Sequence, residues 1–337
     1  MKKWQFWLGV IISVGFLVYA LQGLKLTEVF SQVQRANYYW LIPAVAVYFV
    51  AVWARTWRWD YMLRPIKKIP IRRLFPVVVI GYMGNNVYPF RAGELLRSFV
   101  LYEREDVAIG ASMATVIVER VFDGLVMLMF VFVALPLTPI PSESVQTLVV
   151  FASIAFFAAL IVFFGLAAKP DIFYNLAAKI LNWLLPERFA KPTLDFLARF
   201  LEGLESLRSF RNVVMIFLTS VVIWLLETVK YWFVMQAFDF HVTFFALMLM
   251  NGVVNLFTTL PSAPGYVGTF DTPGIETLVL YGVARTTATA YTLVLHAALW
   301  LPITLLGVYY MFKEGLGWSS FSKAVEAAEG ETEEAAV

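Results

Sequence analysis

The sequence predicts an all-α integral membrane protein with about six full spanning helices and two re-entrant pairs of broken helices, arranged as an inverted repeat. Hydrophobic residues make up 60% of its 337 residues, whereas soluble domains hold about 45–50%. Most of them lie in runs that reach the roughly 20 residues a helix needs to cross a bilayer. Two further apolar runs are shorter and are broken by Gly, Asn and Pro. These features place the chain in a membrane.

The six spanning helices are predicted where the apolar runs are longest. These runs are 4–24, 39–62, 107–135, 146–168, 212–236 and 288–312. We expect one transmembrane domain over residues 1–314, with repeat-like halves at about 39–135 and 212–312. An acidic tail over 315–337 should be disordered, because it has too little apolar surface to bury.

Basic residues set the orientation of these helices, because Lys and Arg concentrate on the cytoplasmic side of a membrane. Lys2 and Lys3 precede the first span, and residues 64–73 carry five basic residues and no acidic one. Residues 169–211 hold seven basic and five acidic residues, with leucines at helical spacing, which predicts a cytoplasmic amphipathic connector. We therefore predict a multi-pass protein of the cell membrane with both termini cytoplasmic.

The two short apolar runs are the clearest indication of function. The first covers 75–88 and ends in Gly84-Asn85-Asn86, and the second covers 244–260 and is followed by a loop rich in Pro and Gly. Irregular backbone at membrane depth is tolerated only where it lines a cavity walled by protein. Counting the predicted helices places the start of the first run at the cytoplasmic face and the start of the second run at the outer face. Entry from opposite faces is typical of transporters with inverted repeats. We expect the two breaks to meet near the bilayer midplane.

Two sets of charged residues lie inside predicted spans, where one charge costs roughly 2.5–3.5 kcal/mol on insertion scales. Glu119, Arg120 and Asp123 put two acids and one base within the span 107–135. Glu227 and Lys230 are three residues apart within the span 212–236 and can pair on one helix face. The candidates for charge coupling during transport are Glu119, Asp123, Glu227 and Lys230, whereas Arg120 is a candidate for binding the phosphate of the substrate. The alternative is that each set is an ion pair that fixes the packing of helices.

A third charged set follows the first break. Arg91, Glu94 and Arg97 surround Gly93, which lets backbone approach a ligand closely, and Asn86 precedes them. The start of the next helix offers free N–H groups, and guanidinium groups match phosphate oxygens with paired donors. These residues therefore predict a phosphate-binding site. The alternative is an interfacial helix whose arginines extend to lipid headgroups.

Other chemistries find little support in the composition. The chain has no cysteine and two histidines, and we find neither a cluster of metal ligands nor a nucleotide-binding loop. We therefore predict no catalytic residue, no metal, no cofactor and no nucleic-acid partner. His296 stands alone in the last span, where a packing hydrogen bond is the commoner role.

Three sequence blocks resemble one family. They are GNNVYPFRAGELLRSFVLYER, ATVIVERVFDGL and LPSAPGYVGTFD. They are similar to conserved blocks of the lysylphosphatidylglycerol synthase transmembrane-region family, also described as flippase-like domain proteins. Its best-known members, the multiple peptide resistance factors, join such a region to an aminoacyl-transfer domain, and the membrane region is associated with moving the modified lipid. The resemblance implies functional roles for the matching residues Arg91, Gly93, Glu94, Arg97, Glu119, Arg120, Asp123, Pro264, Gly265 and Gly268.

This chain departs from those members because its longest soluble stretch, 169–211, is too short for a transferase domain. The predicted function is a stand-alone translocase for an anionic or polyprenyl-linked membrane lipid, with the phosphate held near the first broken helix. One alternative is a membrane scaffold or assembly subunit. Another is an integral membrane enzyme acting on a lipid headgroup, with Glu119 and Asp123 as acid and base. The expected partners are the lipid, and either a second copy of the chain or a lipid-modifying enzyme.

Overall fold

In the computed structural model, the described residues are 11–88 apart from 17 and 21, 91–137, 170–184, 209–316 apart from 261, and scattered positions between 147 and 207. Over these residues the chain forms α-helices and short 3₁₀ turns and no strand. The predicted all-α membrane fold is confirmed.

The helices of the described residues are numbered here in chain order. They are α1 Leu26–Arg35, α2 Leu41–Leu63, α3 Ile71–Val87, α4 Gly93–Glu105, α5 Ile109–Leu137, α6 Pro170–Leu184, α7 Phe210–Met235, α8 Phe244–Phe257, α9 Asp271–Leu280 and α10 Arg285–Lys313. A helical stretch, Ile11–Ala20, precedes them.

The longest apolar helices coincide with predicted spans. Helix α2 with the 3₁₀ turn before it, α7 and α10 are long and apolar enough to cross a membrane, and they match the predictions 39–62, 212–236 and 288–312. Helix α5, with 29 residues, overlaps the prediction 107–135 but begins and ends two residues later. The span 4–24 is described only from residue 11, and the span 146–168 falls outside the described residues apart from isolated positions.

Each short apolar run forms one arm of a broken hairpin. Helix α3 ends at Val87 and α4 begins at Gly93, while α8 ends at Phe257 and α9 begins at Asp271. The second gap contains the 3₁₀ turn Pro264–Tyr266, which packs against α3. The two breaks are therefore in contact, as the sequence predicted.

Glycines allow the first hairpin to close tightly. A Cβ added at Gly84 of α3 would lie 2.7 Å from the Cα of Gly93 in α4, and one added at Gly93 would clash with the backbone of Gly81 and Asn85. Small residues of this kind let two helix backbones approach each other within a membrane. Any side chain at these positions would separate α3 from α4.

The contacts among the helices stay the same when α2, α3, α4 and α5 are interchanged with α7, α8, α9 and α10, in that order. Helix α3 packs on α10 as α8 packs on α5, and α4 packs on α5 as α9 packs on α10. The equivalent helices α2 and α7 pack on each other and run antiparallel, because Asn37 meets Ala237 near one end and Arg58 meets Ser220 near the other. Opposite directions of equivalent helices are what an inverted repeat requires.

Candidate functional site

A network of buried charges joins α2, α4, α5 and α7. Arg58 of α2 is fully buried and donates to the Asp123 carboxylate of α5 and, at 2.8 Å, to the Ser220 hydroxyl of α7. Arg97 of α4 donates to the Glu119 carboxylate of α5 at 2.6 Å. Hydrogen bonds between ionised groups are the strong class, and losing one partner would leave a buried charge unpaired. The network therefore fixes how four helices meet.

Two arginines of the network, Arg91 and Arg120, are partly open. Their side chains are 21% and 34% exposed, whereas that of Glu119 is 1% exposed. Their ion pairs are long, at 3.6 Å from Arg91 to Glu94 and at 3.5 Å and 3.6 Å from Arg120 to Glu94 and Asp123. Ordinary N–H···O hydrogen bonds are about 2.7–3.2 Å long. The guanidinium groups of Arg91 and Arg120 thus keep donor capacity for a ligand.

A second group of charges belongs to the same network. Glu227 of α7 accepts from Lys230 and, at 2.9 Å, from Arg55 of α2. The Arg55 guanidinium lies 5.1 Å from the centre of the Trp224 ring, and the Trp224 indole N–H donates to Asp123 at 2.8 Å. Trp224 therefore bridges the two groups. The predicted pair of Glu227 and Lys230 is present, but it shares its carboxylate with a third residue.

The network carries more positive than negative charge. Among the described residues its six bases are Arg55, Arg58, Arg91, Arg97, Arg120 and Lys230, and its four acids are Glu94, Glu119, Asp123 and Glu227. Six bases against four acids leave an excess of two positive charges when all are ionised. Uncompensated charge is costly in a protein interior. An anion bound beside the open arginines would balance it.

Backbone strain marks both breaks. Arg91 and Tyr266 have φ angles of +54° and +60°, in the left-handed region that residues other than glycine rarely adopt. The Arg91 guanidinium lies 5.7 Å from the centre of the Tyr266 ring and 3.5 Å from the Thr258 hydroxyl. Strained residues of this kind cluster at ligand sites and moving elements. Here the strained residue of one break contacts the strained residue of the other.

Two cavities open beside these residues. The first, the apolar cavity, has a volume of about 1000 Å³ and lies among α5, α8, α9 and the helical stretch before α1. Its aliphatic lining includes Met127, Leu128, Val131, Leu249, Val253 and Leu280. The second, the polar chamber, has a volume of about 140 Å³ and adjoins both breaks. Its lining includes Tyr48, Tyr82, Asn85, Asn86, Tyr231, Asn255, Tyr266 and Trp300.

Arg91 and Arg120 line both cavities. The two positive groups with free donors therefore stand where the polar chamber meets the apolar cavity. Ligand sites of a few hundred to about 1000 Å³ are typically apolar with a few oriented polar groups. The combined space suits a molecule with an anionic head and a long hydrocarbon chain.

Side chains of α10 hold both breaks. The Asn86 amide donates to the Thr304 hydroxyl at 2.8 Å, which ties the first break to α10. In the second break, His296 of α10 places Nδ1 2.8 Å from Asp271 Oδ1 and Nε2 2.7 Å from the Gly265 carbonyl oxygen. His296 is thus committed to the second break. The described residues contain no group of three or more His, Asp or Glu side chains placed to hold a metal ion.

The comparison with known families covers almost the whole chain. Residues 6–307 match the family described as Lysylphosphatidylglycerol synthase TM region. The chain belongs to this family. No solved structure matches it.

Relatives of this chain include archaeal membrane proteins of similar length. It is 24% identical over 319 residues to a UPF0104 membrane protein of Methanothermobacter thermautotrophicus, which covers 89% of this chain and 93% of the relative. It is 22% identical over 315 residues to a UPF0104 membrane protein of Methanocaldococcus jannaschii, with 90% and 93% covered. The glycosyltransferase AglD of Haloferax volcanii is 24% identical over 296 residues, or 78% of this chain and 47% of the relative.

The site residues predicted from the sequence fall into two sets in this TM-region protein. Those that line one or both cavities are Asn86, Arg91, Glu94, Arg120, Asp123, Glu227 and Gly265. Those that lie outside both linings are Gly93, Arg97, Glu119, Lys230, Pro264 and Gly268. Members of the second set support the first, since Gly93 closes the first hairpin and Arg97 pairs with Glu119.

The sequence analysis did not predict two arginines of the charge network. Arg55 and Arg58 lie inside the predicted span 39–62, and both are at least nine-tenths buried. The rule that singled out Glu119 and Asp123, a charge within an apolar span, applies equally to them. Trp224 gave no comparable signal, because an aromatic residue in a spanning helix is ordinary.

Proposed function

We propose that this chain is a lipid translocase whose substrate carries a phosphate in its headgroup, either an anionic phospholipid or a polyprenyl-linked phosphate. The observation that carries the proposal is the excess of two positive charges in the network. Its two open members, Arg91 and Arg120, stand at the junction of the polar chamber and the apolar cavity.

The open arginines supply the chemistry for a phosphate. A guanidinium group offers several N–H donors in a planar fork that matches phosphate oxygens. The ion pairs of Arg91 and Arg120 are all 3.5 Å or longer, so a phosphate can gain hydrogen bonds without breaking a short one. Its negative charge would also offset the excess positive charge. A neutral headgroup would not offset that charge.

The apolar cavity supplies the place for the hydrocarbon chain. It begins at Arg91 and Arg120 and extends between α5, α8 and α9, along side chains such as Met127 and Val253. A lipid whose phosphate sits at the arginines would keep its chain in apolar surroundings. Headgroup and chain are then both accommodated within the protein.

The inverted repeat supplies a route across the membrane. The site lies between two hairpins that belong to equivalent halves of opposite direction. Movement of one half against the other around a fixed site exposes that site to each face in turn. In this proposal the protein is a multi-pass cell-membrane protein with both termini cytoplasmic. A lipid-modifying enzyme that supplies the substrate would be a natural partner.

The test is lipid movement in reconstituted liposomes with reducible fluorescent lipids. The lipids are phosphatidylglycerol, a polyprenyl phosphate, phosphatidylcholine and ceramide, and the panel includes a lipid whose phosphate bears a sugar because one relative is named a glycosyltransferase. Lipids with net negative charge should move fastest. Arg120→Gln and Arg91→Gln should each slow them roughly tenfold or more, since a hydrogen bond to a charged group contributes about 1.5–3 kcal/mol.

The matched control is Arg73→Gln. Arg73 lies on α3, its side chain is 69% exposed, and its partner Glu105 is 3.4 Å away, outside both cavities. This variant should move lipid like the parent. The scaffold alternative predicts that neither the parent nor its variants move lipid faster than protein-free liposomes. Folded Arg91 and Arg120 variants that move lipid as fast as an active parent would exclude the anion site.

A further inference from the structure

The second break is tied to α10 by a histidine that faces two hydrogen-bond acceptors. His296 Nδ1 lies 2.8 Å from Asp271 Oδ1, and Nε2 lies 2.7 Å from the Gly265 carbonyl oxygen. The other oxygen of Asp271 accepts from the backbone N–H of Gly268 at 2.8 Å. His296, Asp271 and the loop 265–268 thus form one closed set of hydrogen bonds.

If both contacts of His296 are hydrogen bonds, His296 and Asp271 together carry one proton more than a neutral imidazole and a carboxylate do. A neutral imidazole has a single N–H and can donate to Asp271 or to Gly265, but not to both. Both contacts become hydrogen bonds together when the ring carries two N–H groups and Asp271 is a carboxylate. In that form the pair holds one exchangeable proton. When that proton leaves, one of the two contacts of His296 loses its hydrogen bond.

The carboxylates of α5 are poor alternatives for carrying a proton. Glu119 lies within 4.0 Å of Arg58, Arg97 and Arg120, and Asp123 lies within 4.0 Å of Arg58 and Arg120. Opposite charges at this range stabilise the carboxylate form. Adding a proton to either acid would leave several guanidinium groups without their counter-charge. His296 has one acidic partner and no basic one among the described ion pairs.

We propose that His296 and Asp271 form a proton-binding site that couples proton uptake to movement of the second break. With the proton bound, both contacts hold the loop 265–268 against α10. With the proton released, one contact is lost and the loop is free to move. The coupling role rests on the proposed lipid transport, whereas the proton site itself does not.

The polar chamber connects this site to the lipid headgroup. His296 lines the chamber together with Arg91. The titratable and charged groups that line the chamber around it are Tyr48, Arg55, Tyr82, Arg91, Arg120, Glu227, Tyr231 and Tyr266. A phosphate at Arg91 would attract an imidazolium at His296, because opposite charges interact strongly away from bulk water. Lipid and proton would therefore bind together.

The proton site can be observed directly, because the chain has only two histidines. The other, His241, is exposed, and His241→Gln leaves His296 as the single imidazole. Nitrogen NMR of ¹⁵N-histidine in the full chain in lipid nanodiscs should show both ring nitrogens protonated at low pH, and one of them deprotonated as the pH is raised over the range in which the protein stays folded. A ring that stays in one neutral tautomer over that range would overturn the proposal.

The coupling is tested in liposomes that hold a pH difference across the membrane. The parent and His241→Gln should move lipid at a rate that depends on the direction of the pH difference. His296→Gln and Asp271→Asn should lose that dependence, and a folded variant that keeps it would refute the coupling. If the parent moves no lipid under any condition, the proposed function fails. The NMR titration then still decides whether the proton site exists.

Discussion

Substitution of Gly84 by alanine tests the close packing of the first hairpin. A Cβ at Gly84 would lie 2.7 Å from the Gly93 Cα and 3.0 Å from Leu96 Cδ2, whereas ordinary contact begins at 3.4 Å. The first overlap is about 0.7 Å, and it involves a backbone atom that cannot rotate away. Helix α4 must therefore move back from α3. We expect Gly84→Ala to destabilise the protein.

The magnitude follows from two opposing effects. Overpacking of a tight interior costs about 1–3 kcal/mol, and replacing glycine by alanine inside a helix returns about 0.5–1 kcal/mol. The net loss for Gly84→Ala is then about 0–2.5 kcal/mol, and its difference from a glycine-to-alanine change without overlap is about 1–3 kcal/mol. The control is Gly252→Ala in α8, where the nearest atoms lie 3.7 Å and 3.9 Å from the added Cβ. At Gly252 only the higher helix propensity of alanine acts, so Gly252→Ala should be slightly more stable than the parent.

The assay is thermal unfolding in detergent, monitored by tryptophan fluorescence. The 11 tryptophans give a strong signal. Gly84→Ala should unfold several degrees below the parent, and Gly252→Ala at or above it. Lipid movement should fall in Gly84→Ala as well, since α4 carries Glu94 and Arg97 of the charge network. An unfolding temperature for Gly84→Ala equal to that of Gly252→Ala would refute the close approach of α3 and α4.

Three further predictions concern the ion network and the topology. Trp224→Phe removes the indole donor to Asp123 and should cost about 1.5–3 kcal/mol in a thermal or denaturant melt, because the acceptor is charged; an unchanged melt would mean that this bond does not hold α5 to α7. Arg285→Gln breaks its two bonds to Glu276 at 2.7 Å and 2.8 Å, but both side chains are about one-third exposed, so the change in stability should stay within about 1 kcal/mol. A cysteine introduced at Ser322 should resist an impermeant thiol reagent in intact cells and react after lysis, because the Lys and Arg bias places this end in the cytoplasm; labelling in intact cells would reverse the assignment.

Most of the helical architecture could be predicted because each spanning helix is encoded locally. Apolar runs of sufficient length identified α2, α5, α7 and α10, and Gly, Asn and Pro located both breaks. The bounds were less accurate where polar residues belong to a helix. Helix α3 begins at Ile71, ahead of the predicted start at 75, because its first turn carries Arg72 and Arg73 and therefore does not read as apolar.

The charge network could be predicted only where partners lie on one helix. Spacing alone indicated the pair of Glu227 and Lys230, which are three residues apart and in contact. Arg58 meets Asp123 across 65 residues of chain, and no single-sequence pattern encodes which helix faces which. The same limit hid the contact of His296 with Asp271, since the two residues lie on different helices that only the folded hairpin brings together.

The buried arginines of α2 have a consequence for how the chain is made. Arg55 and Arg58 lie in an otherwise apolar helix, and their acidic partners are Glu227 and Asp123, which the ribosome adds 172 and 65 residues later. Until α5 and α7 emerge, Arg55 and Arg58 lack these partners, since Asp60 of α2 pairs with Arg64, and two unpaired charges make α2 costly to place in lipid alone. We therefore expect α2 to stay in a hydrated insertion channel, or against an insertase, while the next helices are synthesised. The order of synthesis thus imposes a waiting step on the assembly of this membrane protein.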